Sequence, residues 1–184
     1  MTSTAWMTAF LGRLELRDIH VGEEPSAGLA PARLVKISAD DWGRFAHEAK
    51  NWDCRWVAAW GEDAGEELII SACFEKEGAY LIARAPIKRT HPILPSHVPH
   101  YAAADRPERH MQDMLGIAFM DHPDPRRWTR HRAWKETEYP LRKDFPAAGN
   151  PPAQTLPNDN YRFLFAHGSG VYEMGLAYVC EKTL

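Results

Sequence analysis

Three short blocks hold most of the residue types able to do chemistry. They are Glu108-Arg109-His110-Met111-Gln112-Asp113-Met114-Leu115-Gly116-Ile117, His122-Pro123-Asp124-Pro125-Arg126-Arg127 and Tyr139-Pro140-Leu141-Arg142-Lys143-Asp144-Phe145-Pro146. The chemistry they suit is recognition of another surface rather than turnover. Arg109, Arg126, Arg127 and Arg142 offer planar guanidinium forks for bidentate contacts to carboxylates, the usual work of arginine at an interface. His122 and Asp124 stand on proline-stiffened backbone that has little entropy left to lose on docking. With Glu108, Asp113, Lys143 and Asp144 these residues make up a candidate partner-docking set, and none is expected to be catalytic.

Other chemistries are poorly supported. His110, Asp113, Asp121, His122 and Asp124 could be assembled into a metal site on paper, but His110 and Asp113 lie at helical spacing while the rest sit on an irregular stretch, so no metal is expected. His91, His97 and His100, set among prolines, read as a polar extended segment. Cys54, Cys73 and Cys180 are an odd number with no CxxC pair, which suits reduced, mostly buried thiols and neither an iron-sulfur nor a structural zinc site. No GxGxxG or GxxxxGK[ST] phosphate loop and no GxSxG elbow occurs. Arg126, Arg127, Arg130, Arg132 and Lys135 with Trp128 and Trp134 interleaved could suggest a single-stranded nucleic-acid platform. Glu136, Glu138 and Asp144 interrupt that stretch, so no nucleic-acid partner is expected.

The succession of the three blocks resembles the signature of the C-type peripheral subunit of proton-pumping NADH-quinone oxidoreductase (complex I). It is similar also to the homologous N-terminal domain in the large subunit of formate hydrogenlyase-type membrane-bound nickel-iron hydrogenases. The family pattern runs Glu-Arg-Glu, Asp-hydrophobic-aromatic-Gly-Ile, Gly-His-Pro-Asp-Leu-Arg-Arg and His-Pro-Leu-Arg-Lys-Asp-Tyr-Pro, and the close match extends from Glu108 to Pro146. His110 replaces the second acid, Leu115 the aromatic, Asp121 a glycine, Pro125 a leucine and Tyr139 a histidine. Trp128 to Trp134, Tyr161 to Phe165 and Gly168 to Met174 lean toward the hydrogenase branch, but no pair of CxxC motifs is present to hold nickel and iron.

The resemblance implies a non-catalytic peripheral-arm subunit without a cofactor. Such a subunit scaffolds the large electron-transfer or catalytic subunit and neighbours an iron-sulfur subunit, on the cytoplasmic face of the inner membrane and peripheral to it only through the complex. An orphan protein-binding module derived from a truncated hydrogenase domain is the alternative.

The elements that must position these blocks follow from patterning. Arg33 to Ile37 alternates like a strand and runs into Ser38-Ala39-Asp40-Asp41, a capping-box pattern opening a helix through Trp42, Phe45, Ala46 and Ala49. Arg55 to Trp60, Glu67 to Phe74 and Ala79 to Pro86 are β-rich runs separated by short turn-like segments, which predicts an antiparallel meander. Trp52, Trp56 and Trp60 are assigned to the core. Ile87 to Tyr101 is predicted extended, since residues before proline avoid the α region. Asp105 as N-cap, with Glu108 three residues on and Gly116 as a left-handed stop, brackets a short helix whose apolar side is Met111, Met114 and Leu115. Arg109 and Asp113, one turn apart, pair with each other or bind a neighbour.

The expected fold is therefore α+β: two layers, with a small, mostly antiparallel or mixed sheet and helices on one face. A head over residues 1–116 is followed by a long proline-rich extended arm over 117–184, wrapped on its own head or on a partner. The 184 residues suffice for one core, and Lys plus Arg total 22 against 25 Asp plus Glu, a net charge of -3, so any basic site is local. The longest apolar run, around Leu68 to Phe74, is far below the roughly 20 residues of a membrane span. With no Lys/Arg-led apolar leader at the N-terminus, the chain is expected to be soluble and cytosolic.

Overall fold

The computed structural model describes residues 5–25, 28–130 and 134–150. Helix α1 (Ala5–Glu15) is followed by β1 (Gly22–Glu24), β2 (Arg33–Lys36) and α2 (Trp42–Asn51). The meander β3 (Arg55–Asp63), β4 (Glu67–Lys76) and β5 (Ala79–Lys88) comes next. Then β6 (Ile93–Pro95), a 3-10 turn over Ala102–Ala104, α3 (Asp105–Leu115) and β7 (Ala118–Met120) complete the described elements. The fold is α+β, as expected.

Five strands form one mixed sheet in the order β1-β2-β5-β4-β3. β3, β4 and β5 are antiparallel neighbours, and their connections are as tight as the sequence suggests. Between β4 and β5 the chain turns at Glu77 and Gly78, both at positive φ (54° and 78°), and the Gly78 N–H donates to Glu75 Oε1 at 2.8 Å. β2 pairs parallel with β5, a partnership that needs the α2 crossover and the whole meander between them.

Alternation along β4 turns Leu68, Ile70, Ala72 and Phe74 into the core, each fully buried. Onto them pack Phe45 and Trp42 of α2 and Phe10 of α1; the Phe10 and Phe45 rings meet edge-on at 5.6 Å, and Phe45 meets Phe74 at 5.4 Å. No element before Arg33 is expected from the sequence, yet α1 contributes Trp6, Met7, Phe10 and Leu14 to this core. Before α2, Ser38 Oγ accepts the Asp41 N–H at 3.1 Å and donates to Asp41 Oδ2 at 2.8 Å; the helix itself starts later than the capping pattern suggests, with Asp41 at the cap position and no side-chain bond from it to the first turn.

Two local expectations are corrected. Asp105 does not cap α3: the 3-10 turn runs straight into the helix, Ala104 is the cap position, and Asp105 is the first helical residue. His97 is not part of a polar solvated stretch. It is 1% exposed and stacks on Trp42 at 4.5 Å, with Nε2 3.1 Å from the Trp42 carbonyl, and burial pushes its pKa down to about 3. Trp56 lies in the core as assigned and Trp52 packs against that core, but Trp60 is half-buried and lies outside it.

β6 and β7 form a two-stranded parallel ribbon, with Leu94 opposite Phe119. Ala118–Met120, the first part of the expected arm, is thereby built into the head. No helix of the described residues is long and apolar enough to cross a membrane.

Candidate functional site

Helix α3 sits at the centre of the three sequence blocks. Its first turn carries Asp105 and Glu108, favourable near the positive end of the helix dipole. It stops at Gly116, whose φ of 74° is left-handed and whose N–H bonds to the Gln112 carbonyl. A second constraint acts at the same place, because a Cβ on Gly116 would lie 2.5 Å from Tyr139 Cζ. The Tyr139 ring thus rests on the bare helix end, with the Arg130 and Arg142 guanidiniums 5.0 and 4.5 Å from its centroid.

The buried side of α3 is half apolar and half charged: Met111 and Leu115 alternate with Glu108, Arg109 and Asp113, all at 7% exposure or less. Buried charges need partners, and here the chain after Met120 supplies most of them. The described residues of 121–130 and 134–150 form a strap laid along the helix.

Arg109 spends its fork on this strap. Its Nη1 is 3.0 Å from Asp124 Oδ2, its Nε donates to the Arg126 carbonyl at 2.9 Å, and its Nη2 donates to the Arg127 carbonyl at 3.2 Å. Asp124 is held in turn by Arg126, at 2.8 and 2.7 Å from Nε and Nη2. Those side-chain bonds, with the Arg126 N–H and the Arg109 charge, keep its carboxyl well below the usual carboxylate range.

Asp113 does not pair with Arg109. One of its oxygens, Oδ2, accepts three consecutive backbone N–H groups: Trp128 at 2.7 Å, Thr129 at 2.6 Å and Arg130 at 3.0 Å. A turn of strap is thereby folded around a single carboxylate oxygen.

Glu108 faces the other way. It accepts Ser96 Oγ at 2.5 Å and the His97 N–H at 2.7 Å, tying α3 to the segment after β6. Burial pushes its pKa up to about 7 against the pull of those two hydrogen bonds. His122 Nε2 lies 3.8 Å from the same carboxylate. The Asp124 N–H is 3.0 Å from His122 Nδ1, so Nδ1 is the acceptor and the ring proton sits on Nε2, 3.3 Å from the Asp105 carbonyl.

The third block closes the seam at the far end of the helix. Arg142 Nε donates to the Leu115 carbonyl at 2.7 Å, and the Leu141 N–H donates to the Met114 carbonyl at 3.1 Å. The Lys143 N–H reaches Asp63 Oδ2 at 2.8 Å, at the end of β3. Arg89 bridges Asp63 at 2.9 Å and Asp144 at 2.5 Å.

All ten candidate docking residues therefore lie along one seam between α3, the strap and the sheet end. Glu108, Arg109 and Asp113 are buried within it. His122, Asp124, Arg127 and Arg142 are half-buried, and Arg126, Lys143 and Asp144 are exposed. Sequence reasoning overlooks Ser96, Asp63 and Arg89, whose partners are distant in the chain, and it takes Tyr139 only as a replacement for histidine. Tyr161 to Phe165, Gly168 to Met174, Arg132 and Cys180 lie outside the described residues.

The seam carries no paired nucleophile and base, and among the described residues no group of three or more His, Cys, Asp or Glu is placed to hold a metal ion. Cys54 and Cys73 are free thiols pushed upward by burial, Cys54 to about 11. What the arrangement does chemically is to fix a proline-rich strap in one conformation.

Comparison with known proteins gives this arrangement a context. The C-type subunit of the NADH-quinone oxidoreductase of Maricaulis maris (strain MCS10) is 48% identical over 56 residues, 30% of this chain and 27% of that protein. Formate hydrogenlyase subunit 5 of Escherichia coli (strain K12) is 33% identical over 85 residues, 46% of this chain and 15% of that protein. The matched segments thus span about a quarter or less of those relatives' own lengths. A chain from the structure of the membrane-bound sulfane sulfur reductase, an archaeal respiratory membrane complex, shares the fold, with a TM-score of 0.64 over 80% of this chain and 87% of that one at 16% identity. The family model described as the respiratory-chain NADH dehydrogenase 30 Kd subunit matches residues 35–151, from β2 through the whole seam. With head and strap matched together, the chain belongs to the respiratory-chain NADH dehydrogenase 30 Kd subunit family.

Proposed function

We propose that this chain is a non-catalytic assembly subunit of a complex-I-like NADH-quinone oxidoreductase or a formate hydrogenlyase-type hydrogenase. It scaffolds the large subunit beside an iron-sulfur subunit on the cytoplasmic face of the membrane. One observation carries the reading: Arg109 and Asp113 spend their charges on the strap, fixing one conformation of a proline-rich segment whose outer side displays Trp128 and Leu141, 46% and 51% exposed. A buried ionic seam contributes little net stability over an apolar one; its gain is a unique geometry, which is what a docking surface needs.

Within that surface the candidate docking residues divide by exposure. Arg109 and Asp113 hold the strap and Glu108 ties α3 to the segment after β6, while the exposed Arg126, Lys143 and Asp144, with the half-buried Arg127, meet the partner. The test is affinity co-purification of the tagged chain from mildly solubilised membranes of its host, with the companions identified by mass spectrometry. Recovery of a large subunit together with an iron-sulfur subunit is expected. Recovery of the chain alone, under conditions that keep the rest of such a complex intact, overturns the reading.

A further inference from the structure

The two edges of the five-stranded sheet are built differently. The β1 edge is three residues long, carries Glu23 and Glu24 and ends at Pro25, features that discourage another strand from adding. The β3 edge is nine residues long and reads Val57-Ala58-Ala59-Trp60-Gly61 through its middle, with no charge and no proline. Among the described residues β3 pairs with β4 alone, and no backbone hydrogen bond leaves Val57 to Glu62 on the other side.

A groove of about 410 Å³ opens beside this free edge. Ala59, Trp60 and Gly61 all line it. Consecutive side chains of a strand point to opposite faces, so what three successive residues share with one groove is the strand's edge. Met111 and Leu115 of α3 form an apolar floor, and Trp128 and Leu141 of the strap add exposed apolar walls. At the rim stands Arg106. It is exposed and has no ion pair among the described residues, and its guanidinium lies 4.6 Å from the Trp128 ring centroid. With no carboxylate of its own chain beside it among the described residues, Arg106 is placed to meet one from outside.

We propose that the outer edge of β3 is a docking strand: a partner subunit adds an extended segment there as a sixth strand, setting alternate apolar side chains into the groove and a carboxylate against Arg106. This rests on the assembly reading above, and it names the surface and the chemistry of the segment that fills it. Main-chain hydrogen bonds supply the pairing, and the groove and Arg106 supply the selectivity.

Amide hydrogen exchange on the full chain, measured alone and within the co-purified assembly, tests it. Outward-facing amides between Val57 and Glu62 are expected to exchange at least tenfold more slowly in the assembly. Val57→Lys combined with Arg106→Glu is expected to lower the co-purified yield at least fivefold with an unchanged melting temperature of the chain alone. Equal exchange of these amides in a chain that does co-purify removes the docking strand and leaves the subunit reading standing. Failure of any subunit to co-purify removes that reading, and the docking strand falls with it. Protection that grows with concentration of the chain alone assigns the edge to a second copy and also overturns the proposal. The exchange result in the parent chain decides the matter even where the double variant is less stable.

Discussion

Asp113 Oδ2 accepts the Trp128 N–H at 2.7 Å, and the next two backbone N–H groups converge on the same oxygen. A carboxylate on the last turn of a helix thereby does for the strap what a capping residue does for a helix, satisfying three successive donors, of which that of Arg130 is buried.

Asp113→Ala is expected to destabilise the chain by about 2 kcal/mol, because one buried and two part-buried backbone donors lose a charged acceptor together. Trypsin should also cut faster after Arg126, Arg127 and Arg130, since the loosened strap exposes them. Urea unfolding and timed proteolysis of parent and variant check this. A change below about 0.5 kcal/mol with unaltered cleavage would show that the strap holds without Asp113.

Glu108 makes the stability depend on pH. Its folded pKa, about 7, is raised above the ordinary 4.5, so the folded state holds this proton more tightly than the unfolded chain does. Stability from that tighter binding is complete below pH 4.5 and is lost as pH rises through 7. Glu108→Gln removes the loss. The variant should gain on the parent by roughly 2 kcal/mol between pH 5 and pH 8, read from urea midpoints at both values. Parallel pH curves for the two chains would contradict this account.

Gly116→Ala combines two penalties. An alanine at φ 74° is strained, and its Cβ would press on the Tyr139 ring at 2.5 Å. A loss of about 2 kcal/mol is expected, of which the share due to the clash is recovered when Tyr139 is also replaced by alanine while the strain at φ 74° remains. Thermal melts of the two single variants and the double variant measure the coupling; additive losses would mean that the ring and the helix end act independently.

Much of this architecture is legible along the chain. The β3–β5 meander follows from alternation and short turns, the strand-to-helix step from the polar Ser38–Asp41 segment, and the end of α3 from a glycine, the residue that adopts the left-handed cap at least cost. Each is a local rule acting over a few residues. Trp6, Phe10 and Leu14, spaced four apart, carry the same kind of local signal for α1, a helix that sequence reasoning passes over. The three motif blocks are legible too, as residues belonging together.

Which atoms those residues touch was decided only by the tertiary structure. Arg109 and Asp113 are one helical turn apart, and spacing alone allows them to pair. Burial against the strap instead offers each a richer set of partners: Asp124 and two carbonyls for the cation, three N–H groups for the anion. Glu108 stands where a reciprocal helix cap is expected, but the 3-10 turn feeding α3 removes that role and Ser96 and His97 take the carboxylate. The parallel β2–β5 pair and the reach of Asp63 to Lys143 have the same origin. Local propensity is set by neighbours in the chain, whereas the partners of a buried charge are set by whatever the whole fold brings within hydrogen-bond distance.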